Sequence, residues 1–328
     1  MLRMDLLWQI LLAVLVVMVT CLVVVKVYVE SIKGHCTSTR DLTGKVALIT
    51  GANTGIGFYT ALDLAKRNAR VILACRDEHK AAATVQKIQE ATGNMNVEAH
   101  RLDLSLMSSV REFAKSFKGE EQLDILINNA GVAGIPYMKT VEGFDTCFAT
   151  NHLGHFLLTN LLLDLLKKSQ PSRIVTVSSM AHAWTKEFDV ENLNGEKQPW
   201  SPSPGSISQS YFRSKLANVL FTRELAKRLE GTGVTSTCLH PGPVNTKLLY
   251  DAFHPALKPL HFIIVAHFVK TGEEGAQTSI HCAVSEELEG VTGRYYVDCR
   301  EAESSLLSKD LGLARQLWEY SERVTGLK

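Results

Sequence analysis

Residues 46–57 read Val-Ala-Leu-Ile-Thr-Gly-Ala-Asn-Thr-Gly-Ile-Gly, an apolar run that ends in a glycine-rich turn. The run predicts a buried strand over 46–50, and the turn lies where a helix over 57–66 begins. Gly51 permits a tight turn, while Gly55 and Gly57 let backbone amides and the helix dipole approach a pyrophosphate. The spacing G-x-x-x-G-x-G by itself also fits a plain surface turn, but its position after a first strand favours dinucleotide binding.

The rest of the chain alternates short apolar runs with helical patterns, which is typical of a parallel sheet with crossover helices. Further strands are predicted over 70–74, 97–102, 125–128, 174–178, 235–239 and 295–297. Helices are predicted over 78–91, 106–118, 144–167, 211–230 and 272–283. The expected fold class is α/β: a single doubly wound Rossmann-type domain with a seven-stranded parallel sheet, preceded by an N-terminal transmembrane helix.

The N-terminal segment is strongly apolar. Eighteen of the twenty residues from Leu6 to Val25 are apolar, broken only by Gln9 and Thr20. A helix of that length matches a hydrocarbon core of about 30 Å, so it predicts one membrane span. The alternatives are a cleaved signal peptide, whose apolar region is usually about 7 to 15 residues long, and a buried core helix. The expected organisation is a membrane anchor over 1–30, a linker over 31–43 and a dinucleotide-binding catalytic domain over 44–328.

Charge sets the expected orientation and excludes one class of partner. Lys26, Lys33 and Arg40 follow the apolar segment, against Arg3 alone before it, so the positive-inside rule places the large domain in the cytosol. The formal net charge is +1 and no basic stripe is present, so nothing indicates nucleic-acid binding.

The seven cysteines contain no C-x-x-C pair, which fits a reducing compartment.

Two histidines invite a metal interpretation. His152 and His155 follow Asn151 closely, but no H-E-x-x-H pattern or carboxylate partner accompanies them. Helix histidines are often structural, so we expect no metal site.

A tyrosine and a lysine indicate the chemistry. Tyr211 and Lys215 stand four residues apart in Y-F-R-S-K, so a helix places both side chains on one face. An ammonium there can favour the ionised phenol, which makes Tyr211 a candidate proton donor near neutral pH.

At the end of the second strand, Arg76 offers donors suited to a 2′-phosphate, so NADPH is favoured over NADH. The neighbouring Asp77 keeps NADH open, and a solvated loop cation is the plainer interpretation of Arg76.

Several motifs occur together in a fixed order. The set T-G-x-x-x-G-x-G (50–57), N-N-A-G (128–131), Asn151, Ser178-Ser179, Y-x-x-x-K (211–215) and Pro241-Gly242 resembles that of the short-chain dehydrogenases/reductases, over residues 43–300. The phrases L-A-C-R-D (73–77), T-N-H-L-G-H-F (150–156), S-K-L-A-N-V-L-F (214–221), H-P-G-P-V-N-T (240–246) and E-G-A-Q-T (274–278) look like the microsomal retinol dehydrogenase branch. Members of that branch reduce retinal and other apolar aldehydes with NADPH while anchored by an N-terminal helix.

The resemblance implies a role for each residue of the site. Asn151 would hold a water of the proton relay and Ser179 would hydrogen-bond the carbonyl oxygen. Tyr211 would protonate that oxygen, and Lys215 would bind the nicotinamide ribose and lower the pKa of Tyr211. Ser178 competes with Ser179, because neighbouring strand residues point to opposite sides. Asn128 is expected at the cofactor together with the three residues after it. The other expected contacts to NADP(H) are Gly51, Asn53, Thr54, Gly55, Ile56, Gly57, Arg76, Asp103, Leu104, Asn129, Ala130, Gly131, Tyr211, Lys215, Pro241, Gly242, Val244 and Thr246.

The expected function is a single-pass, membrane-anchored, NADPH-dependent oxidoreductase of the endoplasmic reticulum that interconverts all-trans-retinal and retinol or similar lipid aldehydes. One alternative is a reductase of steroid ketones or lipid-peroxidation aldehydes, and another, of a different class, is a weakly catalytic NADPH-binding scaffold. The apolar stretch 257–269 is expected to line the substrate mouth or rest on the membrane, or else to form a buried helix. A homodimer stays open.

Overall fold

The computed structural model describes residues 2–195, 209–246 and 269–328. Its first element is α1 (Leu2–Ile32), in which Trp8–Ile32 has a mean hydropathy of 3.0 and is long and apolar enough to cross a membrane. The helix runs two residues beyond the predicted anchor. Residues 33–41 then pack along the surface of the domain, so most of the predicted linker is a docked segment.

One sheet organises the domain. Its strands are β1 (Val46–Thr50), β2 (Arg70–Cys75), β3 (Val97–Arg101), β4 (Ile125–Asn128), β5 (Ser172–Val177), β6 (Val234–His240), β7 (Tyr295–Val297) and β8 (Arg300–Glu301). The spatial order is β3-β2-β1-β4-β5-β6-β7-β8, and β1 to β7 are parallel, as predicted. The antiparallel β8 is an addition to the prediction. It has two residues and follows a turn at Asp298 and Cys299, both at positive φ, so it carries no alternating pattern.

Helices cover both faces of the sheet. They are α2 (Gly55–Lys66), α3 (Glu78–Thr92), α4 (Met107–Ser116), α5 (Thr146–Phe148), α6 (Gly154–Leu161), α7 (Leu163–Lys168), α8 (Gln209–Arg228), α9 (Gly272–Val284) and α10 (Leu311–Thr325). Helices α2, α3 and α9 enclose one apolar core with strand residues such as Ile49 and Ile127. Helices α4, α6, α8 and α10 enclose the other, with Leu48 and Leu126. This alternation of strand side chains between two helical layers is the doubly wound arrangement.

The predicted single helix over 144–167 is wrong. The chain forms the short α5, a π-helical turn over Ala149–Leu153, then α6 and α7, which are separated at Leu162. A π turn contains an extra residue per turn and is common at functional positions. Here it carries Asn151, whose side chain bonds both backbone groups of Val132.

The strand order fixes where a ligand can bind. The chain runs outward from β1 to β3 on one side and then returns to continue from β4 on the other. Adjacent loops therefore leave the carboxyl ends of β1 and β4 in opposite directions and open a crevice, the usual ligand position in such sheets.

Candidate active site

The glycine-rich turn is pressed against the loop after β4. Gly51 has φ +65°, and a Cβ there would lie 2.9 Å from the Cβ of Ala130. A Cβ on Gly57 would lie 2.5 Å from Asn129 Nδ2. Only glycine fits these positions, so the turn presents bare backbone to the crevice.

The residues between these glycines form the start of α2. Thr54 occupies the N-cap position, and its side chain makes no capping hydrogen bond. Asn53 accepts from Thr84 Oγ1 through its carbonyl at 3.4 Å, and Ile56 is partly buried against the core. The amides at the start of α2 are therefore not capped by the Thr54 side chain, and an anion at this helix end is favoured by the helix dipole.

Thr50, at the end of β1, clamps this region. Its Oγ1 accepts from the amides of Asn129 at 2.9 Å and Ala130 at 3.0 Å, and it bonds His155 Nε2 at 2.8 Å. Asn129 Nδ2 donates back to the carbonyl of Thr50 at 2.8 Å. Thr50 belongs to the glycine motif, but its clamping role depends on residues far along the chain and was not predicted.

The side chain of Asn128, at the end of β4, points towards α6. It is buried, and its Nδ2 donates to Thr159 Oγ1 at 2.9 Å. The alternation along β4 turns this side chain towards α6, and the expected contact of Asn128 with the cofactor stays a prediction.

Two charged residues follow β2: Arg76 has an exposed side chain, whereas the Asp77 carboxylate is bound within the protein. The Asp77 side chain accepts from the amide of Lys80 as the N-cap of α3, and it pairs with the Lys80 ammonium at 3.0 Å. Within the described residues Arg76 is exposed and forms no hydrogen bond or ion pair. The guanidinium is thus free to meet a ligand, whereas the carboxylate is held by its own helix.

Asp103 and Leu104 follow β3. The Asp103 carboxylate accepts from Ser105 through its amide at 3.0 Å and its hydroxyl at 2.6 Å. Leu104 is buried, and a Cβ on Gly154 would lie 2.2 Å from its carbonyl oxygen. This loop is rigidly packed at the β3 side of the crevice.

The Asn151 side chain connects the loop after β4 to α8 by hydrogen bonds. Its Oδ1 accepts from the amide of Val132 at 2.8 Å, and its Nδ2 lies 2.9 Å from Ser214 Oγ and 3.0 Å from the Val132 carbonyl. A Cβ on Gly131 would lie 3.4 Å from Asn151 Oδ1 and 3.5 Å from Lys215 Nζ. The structure therefore brings Gly131, Asn151 and Lys215 together, with the Asn151 amide engaged in holding the loop after β4.

The two serines after β5 differ in surroundings. Ser178 is buried, and its hydroxyl donates to the carbonyl of Lys215 at 2.7 Å. Ser179 is partly exposed, accepts from the amide of Ala181 at 3.2 Å and hydrogen-bonds the phenol of Tyr211. Of the two hydroxyls, that of Ser179 is next to the candidate proton donor.

Helix α8 brings Tyr211 and Lys215 to this point. Lys215 Nζ donates to the carbonyl of Val177 at 3.0 Å and lies 5.6 Å from the centre of the Tyr211 ring. Burial lowers the pKa of Lys215 to about 8. Burial raises the pKa of Tyr211 to about 12, and the hydrogen bond from Ser179 only partly opposes this. The net shift of the Tyr211 pKa is upward because desolvation of the phenol dominates, and the expected lowering of this pKa by Lys215 stays a prediction.

The loop after β6 closes the crevice. Val244 pairs with Lys270 in a parallel bridge, and a Cβ on Gly55 would lie 3.1 Å from Thr246 Cγ2. Lys270 Nζ also donates to the carbonyl of Pro241 at 3.0 Å. Thr246 thus contacts the glycine-rich turn, while Pro241 and Val244 are held by Lys270, which belongs to no motif.

The histidines near the site are structural. His152 is buried and bonds Ser321 Oγ at 3.1 Å, while His155 bonds Thr50. Burial lowers the pKa of His152 to about 3 and that of His155 to about 4, so both rings are neutral. Among the described residues no group of three or more His, Cys, Asp or Glu side chains could hold a metal ion.

Comparison with known proteins identifies relatives of this arrangement. Residues 45–187 match the family model described as short chain dehydrogenase. Human retinol dehydrogenase 11 is 48% identical over 295 residues, which cover 90% of each chain. The crystal structure of an uncharacterized protein from Mycobacterium paratuberculosis is 35% identical, with a TM-score of 0.70 over 88% of this chain and 95% of that one. The RhlG/NADP active-site complex of Pseudomonas aeruginosa is 26% identical, with a TM-score of 0.61 over 84% of this chain and 98% of that one.

Proposed function

The chain belongs to the short-chain dehydrogenases/reductases, in their retinol dehydrogenase branch, and on that premise we propose that it interconverts all-trans-retinal and retinol with NADP(H). It is an oxidoreductase of the alcohol dehydrogenase type. The observation that supports the proposal most strongly is the convergence of Ser179, Tyr211 and Lys215 at the carboxyl end of the sheet.

The residues of the crevice fit a phosphorylated dinucleotide. The bare backbone at Gly51 and Gly57 and the start of α2 suit a pyrophosphate. The unengaged guanidinium of Arg76 suits a 2′-phosphate, and the capping of α3 by Asp77 removes the acid that would favour NADH. The RhlG relative is itself an NADP complex. When bound, NADPH supplies the hydride for carbonyl reduction.

The side chains supply the proton and the charge stabilisation. Reduction of a carbonyl develops negative charge on its oxygen, which must be met by hydrogen-bond donors and an acid. Tyr211, whose pKa of about 12 keeps it protonated, gives its proton to that oxygen. Ser179 donates a second hydrogen bond from the adjacent position. Lys215, with a pKa of about 8, carries a positive charge at neutral pH next to Asn151 and Gly131. That charge favours the phenolate that remains after transfer.

Apolar side chains surround the proton donor. The ring of Phe212 meets that of Trp184 edge-on at 5.2 Å, and Trp184 is 47% exposed. Met180, directly after Ser179, is 50% exposed, and Ala133 packs against Tyr211. An exposed apolar patch beside reacting groups favours an apolar substrate. The stretch 257–268, also expected at the substrate mouth, lies outside the described residues.

The protein is membrane-anchored through α1, and we place it in the endoplasmic reticulum with the catalytic domain in the cytosol. The basic residues Lys26, Lys33 and Arg40 after the span support this orientation. A substrate that partitions into lipid would then be taken up beside the membrane in which it dissolves.

The test is turnover by the detergent-solubilised full chain with NADPH and NADH. All-trans-retinal, a steroid ketone and a lipid-peroxidation aldehyde are compared as substrates. We expect NADPH oxidation with the highest kcat/KM for retinal. A higher kcat/KM for either of the other carbonyls would replace the substrate. Tight NADPH binding with no turnover on any of them would favour the scaffold.

A further inference from the structure

The membrane anchor is not loosely tethered to the domain. Residues 33–41, here called the juxtamembrane segment, run along α9 and the turn after it. Lys33 pairs with Glu274 at 2.8 Å, and the amide of Cys36 donates to Gln277 Oε1 at 3.0 Å. Further along, Arg67 Nη1 donates to the carbonyl of Ser38 at 2.9 Å. Side-chain and backbone groups together hold this segment over its length.

Gly34 is the tightest point of this contact. Its amide lies 3.3 Å from Asp298 Oδ1, to which it donates. A Cβ on Gly34 would lie 1.9 Å from the Asp298 carbonyl oxygen, so any other residue must push the two backbones apart. Asp298 forms the turn between β7 and β8 and has φ +50°. The juxtamembrane segment therefore lies directly on the turn that presents this carboxylate.

The same carboxylate reaches the loop after β6. Asp298 pairs with Lys270, a residue that is only 5% exposed. Lys270 Nζ donates to the Pro241 carbonyl at 3.0 Å, and its backbone bonds Pro243 at 2.9 Å and Asn245 at 2.8 Å. Residues 241–246, here called the Pro-Gly loop, are thus wrapped around one buried lysine.

We propose that Lys270 and Asp298 are positioning residues for the cofactor, and that Gly34 makes the shape of the Pro-Gly loop depend on the docked juxtamembrane segment. This inference rests on the proposed binding of NADP(H) by that loop. Removing the carboxylate leaves the buried ammonium of Lys270 without its counter-charge, which is unfavourable. Without the Asp298 carboxylate, Lys270 turns towards solvent and releases the Pro241 carbonyl. The loop then loses its fixed position opposite the glycine-rich turn, and cofactor affinity falls.

The experiment compares five variants of the full chain in detergent. Gly34→Ala displaces the segment and Asp298→Asn removes the charge of the carboxylate. Gly119→Ala is the matched control for the first, because a Cβ there meets nothing within 4 Å. Glu301→Gln is the control for the second, because it breaks the exposed ion pair to Arg294 on the same hairpin.

For Gly34→Ala and Asp298→Asn we expect the Kd and KM for NADPH to rise about tenfold, or about 1.4 kcal/mol, while kcat at saturating NADPH stays within about twofold. Both controls keep the wild-type Kd. A general loss of folded protein would lower the active fraction without this split between KM and kcat. Asp298→Gly tests the carboxylate a second time, because glycine accepts φ +50° and removes the carboxylate without backbone strain.

Two outcomes overturn the inference. If the wild-type chain binds NADPH and Gly34→Ala and Asp298→Gly bind it equally well, the loop does not depend on this contact. If the wild-type chain does not bind NADPH, the proposed function fails and the inference fails with it. Direct titration of the wild-type chain separates these two cases.

Discussion

Replacing Arg76 by leucine removes an exposed guanidinium that follows the carboxyl end of β2. The guanidinium is exposed and has no hydrogen bond or ion pair within the described residues, so its loss leaves the fold intact. Surface substitutions of this kind change the free energy of unfolding by less than about 0.5 kcal/mol. A hydrogen bond to a charged partner contributes about 1.5–3 kcal/mol. Since 1.4 kcal/mol is about a factor of ten, the KM for NADPH rises about 10- to 100-fold.

The assay measures initial rates with NADPH and with NADH at saturating retinal. The KM for NADH stays within about twofold in Arg76→Leu, because NADH lacks the phosphate that the guanidinium would meet. Arg300→Leu is the matched control: Arg300 is also exposed and lies on β8, at the far edge of the sheet from β3. Equal KM values for NADPH in the variant and the wild type would refute the role of Arg76, and equal losses for both cofactors would show a general disturbance of the site.

Three further predictions follow from the site. Ser179→Ala lowers kcat about 100-fold or more, whereas Ser178→Ala keeps most of the activity and lowers the free energy of unfolding by about 1 kcal/mol. Steady-state kinetics and urea unfolding measure the two effects, and the reverse pattern would contradict the assignment of Ser179 to the substrate. Because Lys215 has a pKa of about 8, its ammonium is present below that pH and lost above it, so kcat/KM for retinal reduction falls as pH rises through about 8; a flat profile there contradicts its role. In Gly57→Ala the new Cβ lies 2.5 Å from Asn129 Nδ2, so the Kd for NADPH in a fluorescence titration rises more than about tenfold; an unchanged Kd contradicts the backbone cradle.

Local patterns in the sequence predict the sheet well. Most of the seven parallel strands contain a short apolar run, although β3 (Val-Glu-Ala-His-Arg) is largely polar. The glycine-rich turn stands at the end of the first strand, so both its pattern and its position are visible. The two-residue β8 has no such pattern. The π turn at Asn151 depends on bonds to Val132, nineteen residues away, and a helical period cannot show it.

The sequence predicts which residues form the site better than it predicts their burial and their pKa values. The four-residue spacing places Tyr211 and Lys215 together, as the structure does. It does not show how deeply they are buried, and burial raises the pKa of Tyr211. Lys270 was missed because its role is set by the Pro241 carbonyl and by Asp298, 29 and 28 residues away, and an isolated lysine carries no signal.

The most direct test of the central claim compares retinal reduction by the wild-type chain, Tyr211→Phe and Tyr296→Phe. Tyr296 is buried on β7 in the other helical layer, so its substitution controls for the loss of a buried phenol. We predict NADPH-dependent turnover in the wild type and in Tyr296→Phe, and a loss of about 100-fold or more in Tyr211→Phe with NADPH binding retained. Full turnover in Tyr211→Phe would contradict the account, because the proton would then come from another group.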